Sequence, residues 1–165
     1  MTNNPAYDNK VTDGMSARIR QGTRADVPSV FALIQELASF EKAPLEVDNT
    51  VERMLEDGFG EKPIFDFFVA EFDGTVVGLA LFYFRYSTWK GRRLYLEDLI
   101  VTQTHRGQGI GGLLFEAIVE KAKTTRSSGV VWQVLDWNEP AIDFYRKYGA
   151  TFDGGWLNCA LKVPL

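Results

Sequence analysis

Apolar positions recur along this chain with two different periods. Val27, Val30, Phe31, Ile34, Leu37 and Ala38 fall three or four residues apart. That is the spacing of one helix face, and it predicts an amphipathic helix over residues 24–40. Thr23 followed by Asp26 supplies an N-cap pair at its start. Ala17–Gln21 reads as a short strand before it, and Val51–Leu55 as a second short helix closed by Gly58 and Gly60. The period then shortens. Phe65–Phe72 and Thr75–Tyr86 read as strands joined by Asp73-Gly74, a strong hairpin signal, and Arg93–Val101 as a third strand. Helical spacing returns over 109–126, with Leu114, Ile118 and Ala122 on one face. Gly129–Leu135 reads as a strand. Asn138 caps a helix with Pro140 in its first turn, which runs to Tyr148 before Gly149. Thr151–Val163 is expected to supply a last strand or two.

This order predicts one α/β (α+β) domain over residues 17–165, a mixed and mostly antiparallel sheet flanked by helices. The hairpin makes part of the sheet antiparallel, and the later strand–helix–strand units suggest parallel crossovers. Residues 1–16 are polar and lack the apolar middle of a signal peptide; they read as a disordered leader, with Met15 a candidate start.

Composition narrows the function classes. The chain has 165 residues, 45% of them hydrophobic, enough for a sizeable core. A net charge of −4 argues against a dedicated nucleic-acid binder. The lone Cys159 excludes an internal disulfide, and no Cys/His spacing suggests a metal site. No apolar run approaches a membrane span. The expectation is a cytoplasmic protein without nucleic-acid, membrane or metal partners.

Two features carry chemistry. Glu97 and Asp98 interrupt an apolar strand, where a carboxylate is costly unless paired or exposed in a cleft. Adjacent strand residues point to opposite faces unless a bulge intervenes, so the two acids are expected to do different work. Next, Arg106-Gly107-Gln108-Gly109-Ile110-Gly111-Gly112 stands between that strand and a helix. Unpaired N–H groups at a helix N-terminus favour anions, and glycine lets a phosphate approach the backbone. Gly107, Gly109 and Gly112 also fit the dinucleotide fingerprint G-x-G-x-x-G, with Asp136 about 24 residues on. Against it, Thr102–Arg106 separate the first glycine from its strand, and too little chain follows for a large doubly wound sheet.

Arg106-x-x-Gly109-x-Gly111 also matches the coenzyme A loop [Q/R]-x-x-G-x-[G/A] of the GNAT N-acetyltransferases. With GFGEKP (58–63), YSTWKGRRLYLEDLIV (86–101), RGQGIG (106–111) and VLDWNEPAIDFYRKYGA (134–150), the chain resembles the spermidine/spermine (diamine) and thialysine acetyltransferase group over residues 17–163. The resemblance implies a GNAT fold, acetyl-CoA as cosubstrate, a small cationic amine as acceptor, direct attack in a ternary complex, and a homodimer, with Trp156 a candidate for the interface.

The same resemblance assigns roles. Tyr145, in N-E-P-x-x-x-F-Y, matches the proton donor, although periodicity alone reads it as packing between Phe144 and Tyr148. Glu97 anchors the amine and relays its proton, and Asp98 assists or supports it. Coenzyme contacts fall on the backbone of Leu99, Ile100 and Val101, on residues 106–112, and on Asn138, Pro140 and Ala141. Phe40, Glu41, Trp132 and Gln133 match positions on the amine side, where a solvated charge at Glu41 and core packing at Trp132 are the plainer readings. His105 is expected to be exposed and Cys159 to lie in the core. Polyamine-acetylating members carry an acid where this chain has Ser87, and Arg85, Lys90, Arg92 and Arg93 cluster nearby. These departures favour a thialysine- or lysine-like amine bearing a carboxylate over spermidine. A protein-directed acetyltransferase and a silent coenzyme A sensor are the alternatives from other classes.

Overall fold

The computed structural model describes residues 17–163, so the expected leader lies outside the described residues. The chain divides into two compact units at Trp132/Gln133.

The first unit holds a five-stranded sheet in the order β1-β2-β3-β4-β5. Its strands are β1 (Arg18–Gln21), β2 (Asp66–Phe72), β3 (Thr75–Ser87), β4 (Gly91–Val101) and β5 (Val130–Val131). The first four pair antiparallel. Asp73 and Gly74 join β2 to β3 with φ of 47° and 73°, the doubly left-handed turn that suits strand twist. β5 pairs parallel to β4 through Leu94–Val130 and Tyr95–Val131 alone. From Leu96 to Val101, β4 therefore has no strand on that side among the described residues. The strand expected over Gly129–Leu135 is only two residues long.

One face of the sheet is covered by α1 (Val27–Phe40) and α2 (Val51–Phe59). Val27, Val30, Leu33 and Met54 pack there with Phe67, Val69, Leu79, Leu81 and Ile100. Gly58, expected to end α2, lies inside it, and Gly60 is the C-cap. Strand alternation sends Phe68, Phe82, Leu94 and Leu96 to the opposite face, where α3 (Ile110–Thr124) packs and Gly78 lies against Leu114. A polar knot locks the start of α1. Both oxygens of buried Asp26 accept from the Arg20 fork at 2.8 Å, and Asp26 also accepts from the Thr23 N–H and hydroxyl. Arg20 Nε donates to Glu71 at 2.7 Å.

The second unit contains α4 (Glu139–Lys147), capped by Asn138, whose side chain accepts from the Ala141 N–H. The strand expected over Thr151–Val163 is absent: these residues are exposed and make no ladder. Their apolar side chains suited a strand, but a strand exists only by pairing, and these residues pair with none. Cys159, expected in the core, is exposed with them.

Candidate active site

The two strand acids sit at a β-bulge. Leu81 faces Asp98 and the next residue of β3, Phe82, faces Leu96, so Glu97 is the extra residue and has no partner. The bulge cancels one step of alternation. Asp98 shares the α1/α2 face with Leu81 and Ile100, and Glu97 turns toward that face too, against Tyr83 and Tyr95. The expectation of opposite faces is corrected: the two carboxylates share one face.

Their surroundings show the cost. Burial, then the charges of Glu97 and Glu41, push Asp98 up to about 6. Partial burial also raises Glu41, just past the end of α1. Tyr83 and Tyr95 face each other across β3 and β4 with rings stacked at 5.2 Å. Burial and then Glu97, through its charge and a hydrogen bond, push Tyr83 up to about 12. Glu41, Glu97 and Asp98 thus converge beside two phenols. An acid cluster of this kind is stabilised by a cation.

From Asp98, β4 runs to Val101 and into the glycine loop. Arg106 ends a short 3₁₀ turn (Gln103–His105), and its Nε donates to the Val101 carbonyl at 2.8 Å. Gly107 and Gly109 have φ of 77° and 79°, with open space where a Cβ would stand. Gly109 is the N-cap of α3, so the first N–H groups of that helix face outward without a side-chain cap. Ile110 is buried, which leaves it only a backbone role in the loop. These features fit a pyrophosphate.

Glu36 is a member that the sequence pattern did not reveal. It accepts from the Thr102 hydroxyl at 2.8 Å and the Gln103 N–H at 2.9 Å, and lies 3.6 Å from Arg106. Arg106 also stacks over Phe40, 5.2 Å from the ring centroid. Phe40, expected on the amine side, thus stands against Arg106 of the glycine loop. Trp132 packs edge-on against Phe115 at 5.4 Å, the plainer of its two readings. His105, expected to be exposed, is half-buried against Phe72.

In the second unit, Tyr145 is 7% exposed, and burial pushes its hydroxyl up to about 12. Asn138 spends its side-chain oxygen on the cap, using the Ala141 N–H. Gln133 donates to Asn158.

Comparison with known proteins resolves the class. The acetyltransferase (GNAT) family profile matches residues 30–150. The chain belongs to the GNAT family. It is 41% identical over 154 residues to thialysine N-epsilon-acetyltransferase of Mus musculus, covering 87% of this chain and 91% of that one. It is 35% identical over 149 residues to spermidine/spermine N(1)-acetyltransferase-like protein 1 of Homo sapiens, covering 84% of this chain and 21% of that longer one. Among solved structures, an integron cassette protein from the mobile metagenome of V. cholerae superposes with a TM-score of 0.73 at 21% identity. That match covers 91% of this chain and 94% of the other and shows the shared fold. GNAT acetyltransferases use acetyl-CoA as cosubstrate, and the loop of this GNAT chain has the backbone such a ligand needs. Among the described residues no helix is long and apolar enough to cross a membrane.

Proposed function

We propose that this acetyltransferase acetylates a primary amine of a small, lysine-like molecule, with thialysine the favoured acceptor. The observation that carries the reading is the bulge: it puts Glu97 and Asp98 on one sheet face, on the strand that leads into the glycine loop, and the charge of Glu41 reaches Asp98 from the end of α1. A cationic amine suits that face. When bound, acetyl-CoA supplies an activated acetyl thioester.

Each residue then has a physical task. The N–H groups of residues 107–112 take the pyrophosphate. The open edge of β4 at Leu99, Ile100 and Val101 offers backbone groups to the pantetheine amides. Glu41, Glu97 and Asp98 hold the cation. Asp98, near 6, accepts a proton closer to working pH than an ordinary carboxylate. Tyr145, near 12, keeps its proton at every working pH. A thiol near ~8.5 is more than three units more acidic, so full transfer from Tyr145 to the thiolate costs ~5 kcal/mol. Tyr145 therefore serves chiefly as a hydrogen-bond donor to the leaving sulfur. We also infer a cytoplasmic homodimer: Trp156, Leu157 and Leu161 are 77%, 91% and 89% exposed, apolar area that a second copy covers.

A second reading, polyamine acetylation, draws on the same carboxylates, because a polycation wants several. The deciding experiment is thiol release from acetyl-CoA across thialysine, lysine, putrescine, spermidine, spermine and a lysine peptide. Higher kcat/KM for thialysine than for spermidine supports the proposal, and the reverse order installs the polyamine reading. Tyr145→Phe is expected to lower kcat by about 10²-fold or more, the cost of losing one hydrogen-bond donor to a developing negative charge.

A further inference from the structure

Arg85 is a cation without an acid. It lies on β3 two residues beyond Tyr83, so it shares the face that carries the amine cluster. Its guanidinium carbon sits 5.5 Å from the centroid of the Tyr95 ring. Arg93 stands directly opposite it on β4. Like charges placed across a ladder repel, which a sheet tolerates when something else compensates. Neither arginine forms an ion pair with any described residue, and Arg93 Nε is buried without a hydrogen-bond partner. The other basic residues of this hairpin are not placed in the same way. Arg92 stacks on Phe84 at 3.9 Å, on the opposite face, and Lys90 lies in the turn.

This face is therefore charged at both ends. Glu41, Glu97 and Asp98 stand at one end, the stacked Tyr83–Tyr95 pair in the middle, and Arg85 with Arg93 at the other. Tyr83–Tyr95 and Leu81–Asp98 are two residues apart on β3, a step of ~7 Å. Arg85 leans over Tyr95, the same ring that the charge of Glu97 reaches, so the cation and the acids flank one aromatic pair. In lysine six bonds of ~1.5 Å join the ε-nitrogen to the carboxylate carbon, and their tetrahedral zigzag shortens the extended span to ~7 Å. A lysine-like amino acid thus carries one charge for each of the two charged ends of the face.

We propose that Arg85 is the carboxylate anchor of the acceptor site: it pairs with the α-carboxylate of an amino-acid substrate whose distal amine lies on Glu97 and Asp98. Tyr95 holds the guanidinium in place, and Arg93 adds to the positive field. The site selects zwitterions with the right charge separation and disfavours diamines, whose second ammonium meets two arginines. This rests on the amine acetyltransferase reading and assigns its acceptor specificity to one side chain.

The test compares thialysine with thialysine carboxamide, which keeps the size and loses the carboxylate charge. Thiol release from acetyl-CoA is measured for wild type, Arg85→Met and Arg85→Lys. The expected result is a wild-type preference for the free acid of ten-fold or more in kcat/KM, expressed in KM. Arg85→Met abolishes that preference and Arg85→Lys restores part of it. Arg85 is exposed, so thermal unfolding midpoints of the variants stay near wild type, which separates recognition from misfolding. A preference that survives in Arg85→Met, with turnover intact, overturns the anchor and leaves the acetyltransferase reading standing. Absence of turnover of both compounds by wild type overturns the acceptor assignment itself, and the anchor with it.

Discussion

Glu97 and Asp98 are consecutive residues on one face of the sheet, because the bulge opposite Leu81 and Phe82 absorbs the step that would have separated them. Burial, and then the charges of Glu97 and Glu41, push the carboxyl of Asp98 up to about 6. A raised folded value means that the folded protein binds this proton more tightly than the unfolded chain, whose value is near 3.8. The destabilisation is absent below pH 4, grows from 4 to 6 and is complete above 6. Asp98→Asn should therefore stabilise the fold at pH 7–8 by about 1–2 kcal/mol, after allowing for partial solvent exposure, and by nothing below pH 4. Unfolding midpoints across that range check it. In the wild type, kcat should fall as pH drops through about 6. Asp98→Asn should erase that limb and lower kcat.

Gly109 occupies a left-handed conformation at the mouth of α3. A Cβ there has room but the wrong dihedral, so the cost is strain of about 1–2 kcal/mol rather than a clash. Gly109→Ala should relieve that strain by moving the first N–H groups of α3. The expected result is a rise of about ten-fold in KM for acetyl-CoA with kcat for the amine largely kept, measured by initial rates at saturating amine.

Arg20 and Asp26 form a short, partly buried fork far along the chain from these loops. The guanidinium beside Asp26 holds its carboxyl down at about 2, against an ordinary 3.8. A lowered folded value gives stability that is present above pH 4 and lost as pH falls through 2. The two-unit shift corresponds to about 2 kcal/mol. Arg20→Met should cost at least that much at neutral pH, since it leaves a buried charge unpaired. Its disadvantage should shrink in acid, as denaturant unfolding at pH 7 and pH 2.5 would show.

The sequence carried the helices and the first four strands because their periods were long and clean. The Asp73-Gly74 turn and the Asn138 cap were legible from side-chain chemistry alone. The failures have physical causes. Residues 151–163 look like a strand because apolar residues favour one, but a strand exists only by pairing. The faces of Glu97 and Asp98 depended on a bulge, which is a property of two strands at once. Glu36 was invisible because its partners, Thr102 and Gln103, lie 66 and 67 residues away. Arg85 was visible only as one member of a basic cluster. The sheet sorted that cluster by face, sending Arg92 to one side and Arg85 to the other. The glycine loop was legible because its requirement is local: positive φ at Gly107 and Gly109.

Beyond Tyr95, β4 parts from β5 and leaves, on the side away from β3, a row of backbone donors and acceptors from Leu96 onward with no strand beside it among the described residues. Such a row is a template for any extended chain, including the same stretch of another molecule. Whatever fills it acts as a stopper. With the acyl donor as the proposed stopper, a cell rich in it keeps the row filled, whereas starvation or dilution empties it and exposes a sticky seam. The shelf life of this protein, and its tendency to clump when overproduced, should therefore track how well its ligand supply keeps pace with its synthesis.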